Sequence, residues 1–170
     1  METITKYTPK QKTTNFQFRW NEPLGVAECP YAYRYVFIFF GFSIRIHKWL
    51  RSDDKRYLHN HGWWFLTFVL KGSYTDVSLP KIYQNDEVDK AIKEGRISRN
   101  DVEDREVLKR FTLKYRPANH LHYVEVPKEG CLTILITGRP LQKWGFWVDG
   151  KIKRPLKFFH KFGHPPCSEQ

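Results

Sequence analysis

Apolar and polar residues alternate with a period of two along much of the chain, as expected for strands with one buried face. Residues 35–40 form a nearly continuous apolar run, and Gly41 marks a bend or bulge after it. Ser43, Arg45, His47 and Trp49 then alternate with Ile44, Ile46 and Lys48, so residues 33–50 predict two strands. After a charged turn at 51–56, residues 57–70 predict a β segment interrupted at Gly62 and ended by Lys71-Gly72. Residues 73–79 predict another strand, closed by Pro80. Val107, Phe111, Leu113 and Tyr115 share one side of the next. Pro117 forces a turn before 121–126, residues 131–137 form a strong strand, and 144–152 predict a hairpin across Asp149-Gly150.

One stretch breaks this rhythm. Asn85 suits a helix N-cap, Asp86 and Glu87 suit its first turn, Val88, Ala91 and Ile92 share a face, and Gly95 ends it. Residues 96–104 are polar and predict a loop. The reading is a flexible arm at 1–14, a single domain at 15–160 with a helical insert about 85–105, and a flexible tail at 161–170. Many short strands around one insert predict a mainly β fold, a closed barrel or a sandwich.

Composition agrees: 170 residues suffice for one domain with a core, and aromatics reach 16%, a share that favours pleated surfaces. There is no run of 18 apolar residues and the N-terminal stretch is polar, so the expectation is a cytoplasmic protein with no membrane partner. Cys29, Cys131 and Cys167 are an odd number without CxxC spacing, which argues against a disulfide framework and a zinc–cysteine site.

The net charge of +11 is uneven. Residues 81–110 hold eight bases and eight acids, whereas residues 139–161 hold seven bases and one acid. That end invites an anionic partner, and its Trp144, Phe146, Trp147, Phe158 and Phe159 would permit stacking on nucleic acid.

The sharpest chemical signal is two HxH pairs, His59-Asn60-His61 and His120-Leu121-His122. Residues i and i+2 of a strand project from one face, so each pair offers two imidazoles to one ion. Two such strands facing each other supply three or four ligands. Pro117 and Asn119 make a turn before His120, which is therefore expected at the rim rather than on the metal. Arg45 and His47 share a strand face that points either inward or to solvent. Tyr74, Arg116 and Arg139 offer anion contacts, and Trp144 a stacking surface. No phosphate loop, GxSxG elbow or dinucleotide fingerprint is present.

Residues 58–72 (LHNHGWWFLTFVLKG) resemble the first motif of the cupin superfamily, and residues 115–126 (YRPANHLHYVEV) resemble the second. The chain is similar in particular to small cupin-like proteins of bacterial and phage genomes. It shares with them Arg45-Ile-His-Lys-Trp-Leu50, the VLKGSY turn and a late segment running from Thr137-Gly to Trp144-Gly-Phe146. The matched pieces span about 42–146.

The resemblance implies a double-stranded β-helix (jelly-roll) barrel with His59, His61 and His122 as metal ligands and His120 as an open fourth. It implies a divalent transition metal, with Fe, Ni, Zn, Mn and Cu all compatible. It would place the protein in the host cytoplasm if phage-encoded. The carboxylate that cupins often add after the first pair is missing from Gly62-Trp63-Trp64-Phe65, and Asp76 is the next acid. The leading expectation is a metal-dependent cupin acting on a small anionic molecule by oxygenase, isomerase or lyase/hydrolase chemistry. A non-catalytic module holding a nucleotide or sugar is the alternative, and nucleic-acid binding through the basic end a third. A homodimer is left open.

Overall fold

The computed structural model describes residues 16–26 and 28–163. It is mainly antiparallel β with short helices, the class expected. Ten strands follow in order: β1 (Phe16–Val26), β2 (Cys29–Phe39), β3 (Phe42–Trp49), β4 (Phe65–Ser78), β5 (Asp104–Lys109), β6 (Leu113–Arg116), β7 (His122–Glu125), β8 (Cys131–Thr137), β9 (Phe146–Val148) and β10 (Lys151–Lys153). Helices α1 (Asp86–Lys93) and α2 (Arg99–Val102) lie between β4 and β5, and α3 (Pro155–Phe162) follows β10.

Strand β4 organises the molecule. Its first half pairs with β8 on one side and β6 on the other, completing the order β1-β2-β3-β8-β4-β6. Its second half pairs instead with β5 and β7. The strand changes sheets at a register shift between Val69 and Lys71, followed by Gly72. Gly72 has φ +74°, and a Cβ there would stand 2.5 Å from the Gly130 carbonyl oxygen, so this bend needs glycine.

Between the sheets lie Val69, Tyr74, Leu108, Val124 and Cys131. The outer face of the smaller sheet carries Val77, Leu121 and Tyr123, which pack with Leu58 and with Val102, Ile92 and Ile97 of the helical segment. The segment is thus a cover for that face. Asn85 caps α1 by accepting from the Val88 amide at 2.9 Å, as its position implies. Asp89 ties the insert to the late hairpin, accepting from Trp147 Nε1 (3.0 Å) and the Gly150 amide (2.9 Å).

Several local expectations are corrected. Residues 65–78 are one bent strand, not two separated at Lys71-Gly72. The segment read as loop after Gly95 contains α2, closed by a capping box between Ser98 and Asp101. Val107, Phe111, Leu113 and Tyr115 are all exposed, but they lie on two strands and the turn between them, because the chain turns at 110–112; in β5 it is Leu108 that is buried. Residues 161 and 162, read as the start of the tail, end a helix: Pro155 opens α3, and its Phe158 packs fully buried against Phe146 and Val148. Strand β1, for which the sequence carried no assignment, forms the edge of the large sheet. Cys29 is disulfide-bonded, contrary to the expectation of unpaired thiols, and Cys131 is a buried free thiol. The arm at 1–14 lies outside the described residues, as does most of the tail.

Candidate metal centre

His59-Asn60-His61 is extended but belongs to no regular strand. His59 exchanges both backbone hydrogen bonds with His122, donating at 2.9 Å and accepting at 3.0 Å, and also bridges Phe146. Asn60 points the other way and is clasped by the 143–145 loop. Its Oδ1 accepts from the Gly145 amide at 2.8 Å, its Nδ2 donates to the Lys143 carbonyl, and its own amide donates to the Gly145 carbonyl. The His61 amide donates to Ala118, and Gln142 Nε2 donates to the carbonyls of both His61 and Ala118. Anchoring the middle residue outward sends both flanking imidazoles inward.

His122 opens β7 and meets them. The ring centroids of His59, His61 and His122 stand 4.9, 5.1 and 5.1 Å apart, nearly an equilateral triangle. One ligand atom from each lies within 4.8 Å of the others. The Nε2 atoms of His61 and His122 are 2.9 Å apart. Phe65 walls this group, its ring 4.7 Å from His61 and 5.7 Å from His122. Burial, reinforced by the neighbouring His122, pushes His59 and His61 well below the usual imidazole range. Both are therefore neutral at pH 7, the form that binds a metal.

Behind His122 stands Asp76, the acid that the first motif lacked nearby. It is 2% exposed and sits on the inward phase of β4, beyond the Gly72 bend. Its Oδ1 accepts from His122 Nδ1 at 2.6 Å, and its Oδ2 accepts from Arg116 Nε at 2.6 Å and His120 Nε2 at 3.1 Å. Burial works against its charge, but His122 and the hydrogen bonds from His120 and His122 outweigh it and hold its carboxyl well below the carboxylate range. A second buried acid, Asp53, accepts from the Val124 amide at 2.9 Å and lies 3.9 Å from His59 Nδ1. Burial raises it to about 7. Asp76, His120 and His122 form an alternative ligand group of their own, sharing His122 with the first.

The remaining candidates separate. His120 precedes β7, so it is not on the strand that its HxH pair implied; its ring is directed at Asp76. With Arg116 it lines a surface cavity of about 310 Å³. Arg116 is committed to Asp76 and to Glu106 (2.5 Å). Tyr74 is buried in the core, Trp144 packs against Phe146, and Arg139 lies over the Phe42 ring.

Arg45 and His47 are on the inward face of β3, opposite Leu135 and Thr133 of β8. His47 is buried, neither ring nitrogen has a hydrogen-bond partner among the described residues, and burial beside Arg45 and Arg34 lowers it to about 3. Arg45 donates through Nε to Ser43 Oγ (2.9 Å) and lies 4.0 Å over Trp63, whose ring neighbours His61. No carboxylate among the described residues pairs with its guanidinium. Burial and the nearby Arg34 and Arg19 lower it to about 9.

Of the five aromatics at the basic end, Phe146 and Phe158 are buried and stack on each other at 4.0 Å within the core, while Trp144, Trp147 and Phe159 are half-buried.

No protein-family model matches the sequence, and no curated protein matches it. Among solved structures, it is similar to the hydroxypropylphosphonic acid epoxidase from S. wedmorenis (10% identity, TM-score 0.46, covering 68% of this chain and 55% of that one). It is also similar to the oxalate decarboxylase of Lactobacillus farciminis in its formate complex (12% identity, TM-score 0.48, 78% and 35%). The chain thus spans about half and about a third of these proteins' lengths. At these values the likenesses carry no argument about function. No described helix is long and apolar enough to cross a membrane.

Proposed function

We propose that this chain is a metal-binding protein of the cupin superfamily that acts on a small anionic molecule at His59, His61 and His122. The observation that carries the reading is the imidazole triangle with Asp76 behind it. An ionised Asp76 takes the Nδ1 proton of His122 into a hydrogen bond, leaving Nε2 with its lone pair directed at His61. Arg116 and His120 hold the second oxygen of Asp76, so the carboxylate itself cannot swing. His59 and His61 need no proton removed before they bind an ion, because burial already keeps them neutral. A bound divalent transition metal would supply Lewis-acid or redox chemistry at this point.

The anion is assigned to Arg45. Its guanidinium keeps donors that no carboxylate of the described residues takes, and Trp63 links it to the edge of the histidine group. Trp63 supports the cation by its ring face and fixes its direction. Phe65 packs its ring against His61 and His122. Oxygenase, isomerase and lyase/hydrolase chemistry all fit such a site.

The test is spectroscopic. The Co(II)-loaded protein is titrated with inorganic phosphate and its visible absorption followed. The expectation is a saturable change in the wild type and its loss in Arg45→Met with cobalt still bound. An unchanged spectrum, or an equal response in Arg45→Met, contradicts the assignment.

A further inference from the structure

The two sheets differ in how their outer faces are treated. The helical insert covers the outer face of the smaller one. Among the described residues nothing covers the outer face of the larger one, and that face is apolar from edge to edge. One row in register crosses all six strands: Phe18 on β1, Phe37 on β2, Ile44 on β3, Ile136 on β8, Leu66 on β4 and Tyr115 on β6. Phe16, Trp20 and Leu113 extend it above and below. Apart from half-buried Leu66, these residues are 39–72% exposed. Lys48 and Lys71, which flank Leu132 at one end, are the charged residues among the described outward positions of these strands.

We infer that this face is a two-fold interface with a second copy of the chain. The area supports it. At roughly 200 Å² per large side chain, the exposed fractions leave on the order of 800 Å² of apolar side chain. That is about 800 Å² per partner, the size of a standard stable interface, and it exceeds the patches of about 300–600 Å² found on ordinary monomers. A flat sheet face is also self-complementary: two such faces stack as the sheets of a sandwich do.

Charge decides between occupants. A nucleic acid or an anionic membrane would be met by bases across the patch, and its two, Lys48 and Lys71, sit together at one end, away from the row of exposed aromatic and aliphatic side chains. Two copies at +11 each repel, but with nearly all of the charge outside the contact that repulsion is screened by salt. Residues 1–15 offer only Met1, Ile4 and Tyr7 as large apolar groups, too few to cover the face from within the chain.

The experiment is sedimentation velocity of the full chain from 1 to 100 µM, with Phe37→Glu/Ile136→Glu and, at the rim, Leu113→Glu. The wild type should sediment as a dimer. The central pair should be monomeric throughout, and the rim variant should weaken the dimer about tenfold or more. The near-UV circular dichroism of Leu113→Glu should remain that of the wild type, so the inference stands or falls on the rim variant if the central pair fails to fold. A monomeric wild type at 100 µM, or a dimer that Leu113→Glu leaves unchanged, overturns the inference. So does a wild type that stays monomeric but co-sediments with phosphatidylcholine–phosphatidylglycerol vesicles, which would give the face to a lipid surface.

Discussion

The Nδ1 of His122 lies 2.6 Å from Oδ1 of Asp76, and this bond decides which nitrogen of the imidazole faces the metal centre. With Nδ1 committed, Nε2 meets the Nε2 of His61 at 2.9 Å. The geometry of the whole triangle therefore depends on an acid that touches none of the other two ligand rings by hydrogen bond.

Asp76→Asn is accordingly expected to weaken metal binding by about 10–100-fold, the usual effect of removing such a supporting partner. A competition titration against a chromogenic chelator measures it. The amide can still meet Arg116 or His122 but cannot accept from both as a carboxylate does. An unchanged affinity in a folded variant would show that Asp76 serves only its ion pair with Arg116.

How much of this was readable in the sequence depends on the range over which each feature is determined. The HxH pairs are local, and so were visible. Asp76 was not, because it reaches His122 only after β4 bends at Gly72; the available signal was an acid two residues from Tyr74 on the buried phase of a strand. The inward direction of Arg45 was undecidable from alternation alone, since both phases of β3 are occupied by plausible residues: the opposite phase is apolar yet faces outward. Helix α3 had its own marks, Pro155 at the start and Phe158 and Phe162 one turn apart, which the nearby Gly and Pro residues obscured.

The bend in β4 can be tested by comparing two glycines of similar φ. Gly72→Ala places a Cβ against the Gly130 carbonyl, whereas Gly95→Ala, at φ +70°, meets nothing within 4 Å. Both incur the left-handed cost of about 1–2 kcal/mol, and Gly72→Ala adds a backbone clash. Urea unfolding should show Gly72→Ala the less stable of the two by at least about 1 kcal/mol. Equal losses would mean that the sheet crossing adjusts freely.

His47 should make the protein acid-sensitive. Its folded pKa, about 3, is below the ordinary imidazole value, so the unfolded state binds its proton first. The stability it allows is fully present above about pH 6.5 and is lost as the pH falls toward 3. From pH 7 to pH 5 this one group should cost about 2 kcal/mol. His47→Leu should lose about that much less than the wild type over the same interval in denaturant titrations. Because neither ring nitrogen of His47 has a hydrogen-bond partner among the described residues, the variant should be no less stable at pH 7. Parallel curves for the two proteins would place His47 in contact with water.

His120 separates the two ligand groups that share His122. If the ion sits among His59, His61 and His122, His120→Ala should keep one bound metal and lower its affinity only through the loss of a bond to Asp76, by less than Asp76→Asn does. If the ion sits instead with Asp76, His120 and His122, His120→Ala should abolish binding while His59→Ala spares it. Calorimetric titration of the two variants with Zn(II) distinguishes these outcomes.

The central claim is that three imidazoles hold one ion, and the most direct measurement is metal stoichiometry. The protein as purified, and after titration with Fe(II), Mn(II), Ni(II) and Zn(II), is analysed by plasma mass spectrometry beside His59→Ala, His61→Ala and His122→Ala. The account predicts one tightly held ion per wild-type chain and its loss in each of the three variants, with His122→Ala the most severe. A wild type that retains no ion after gel filtration, or variants that retain it at full occupancy, would contradict the account.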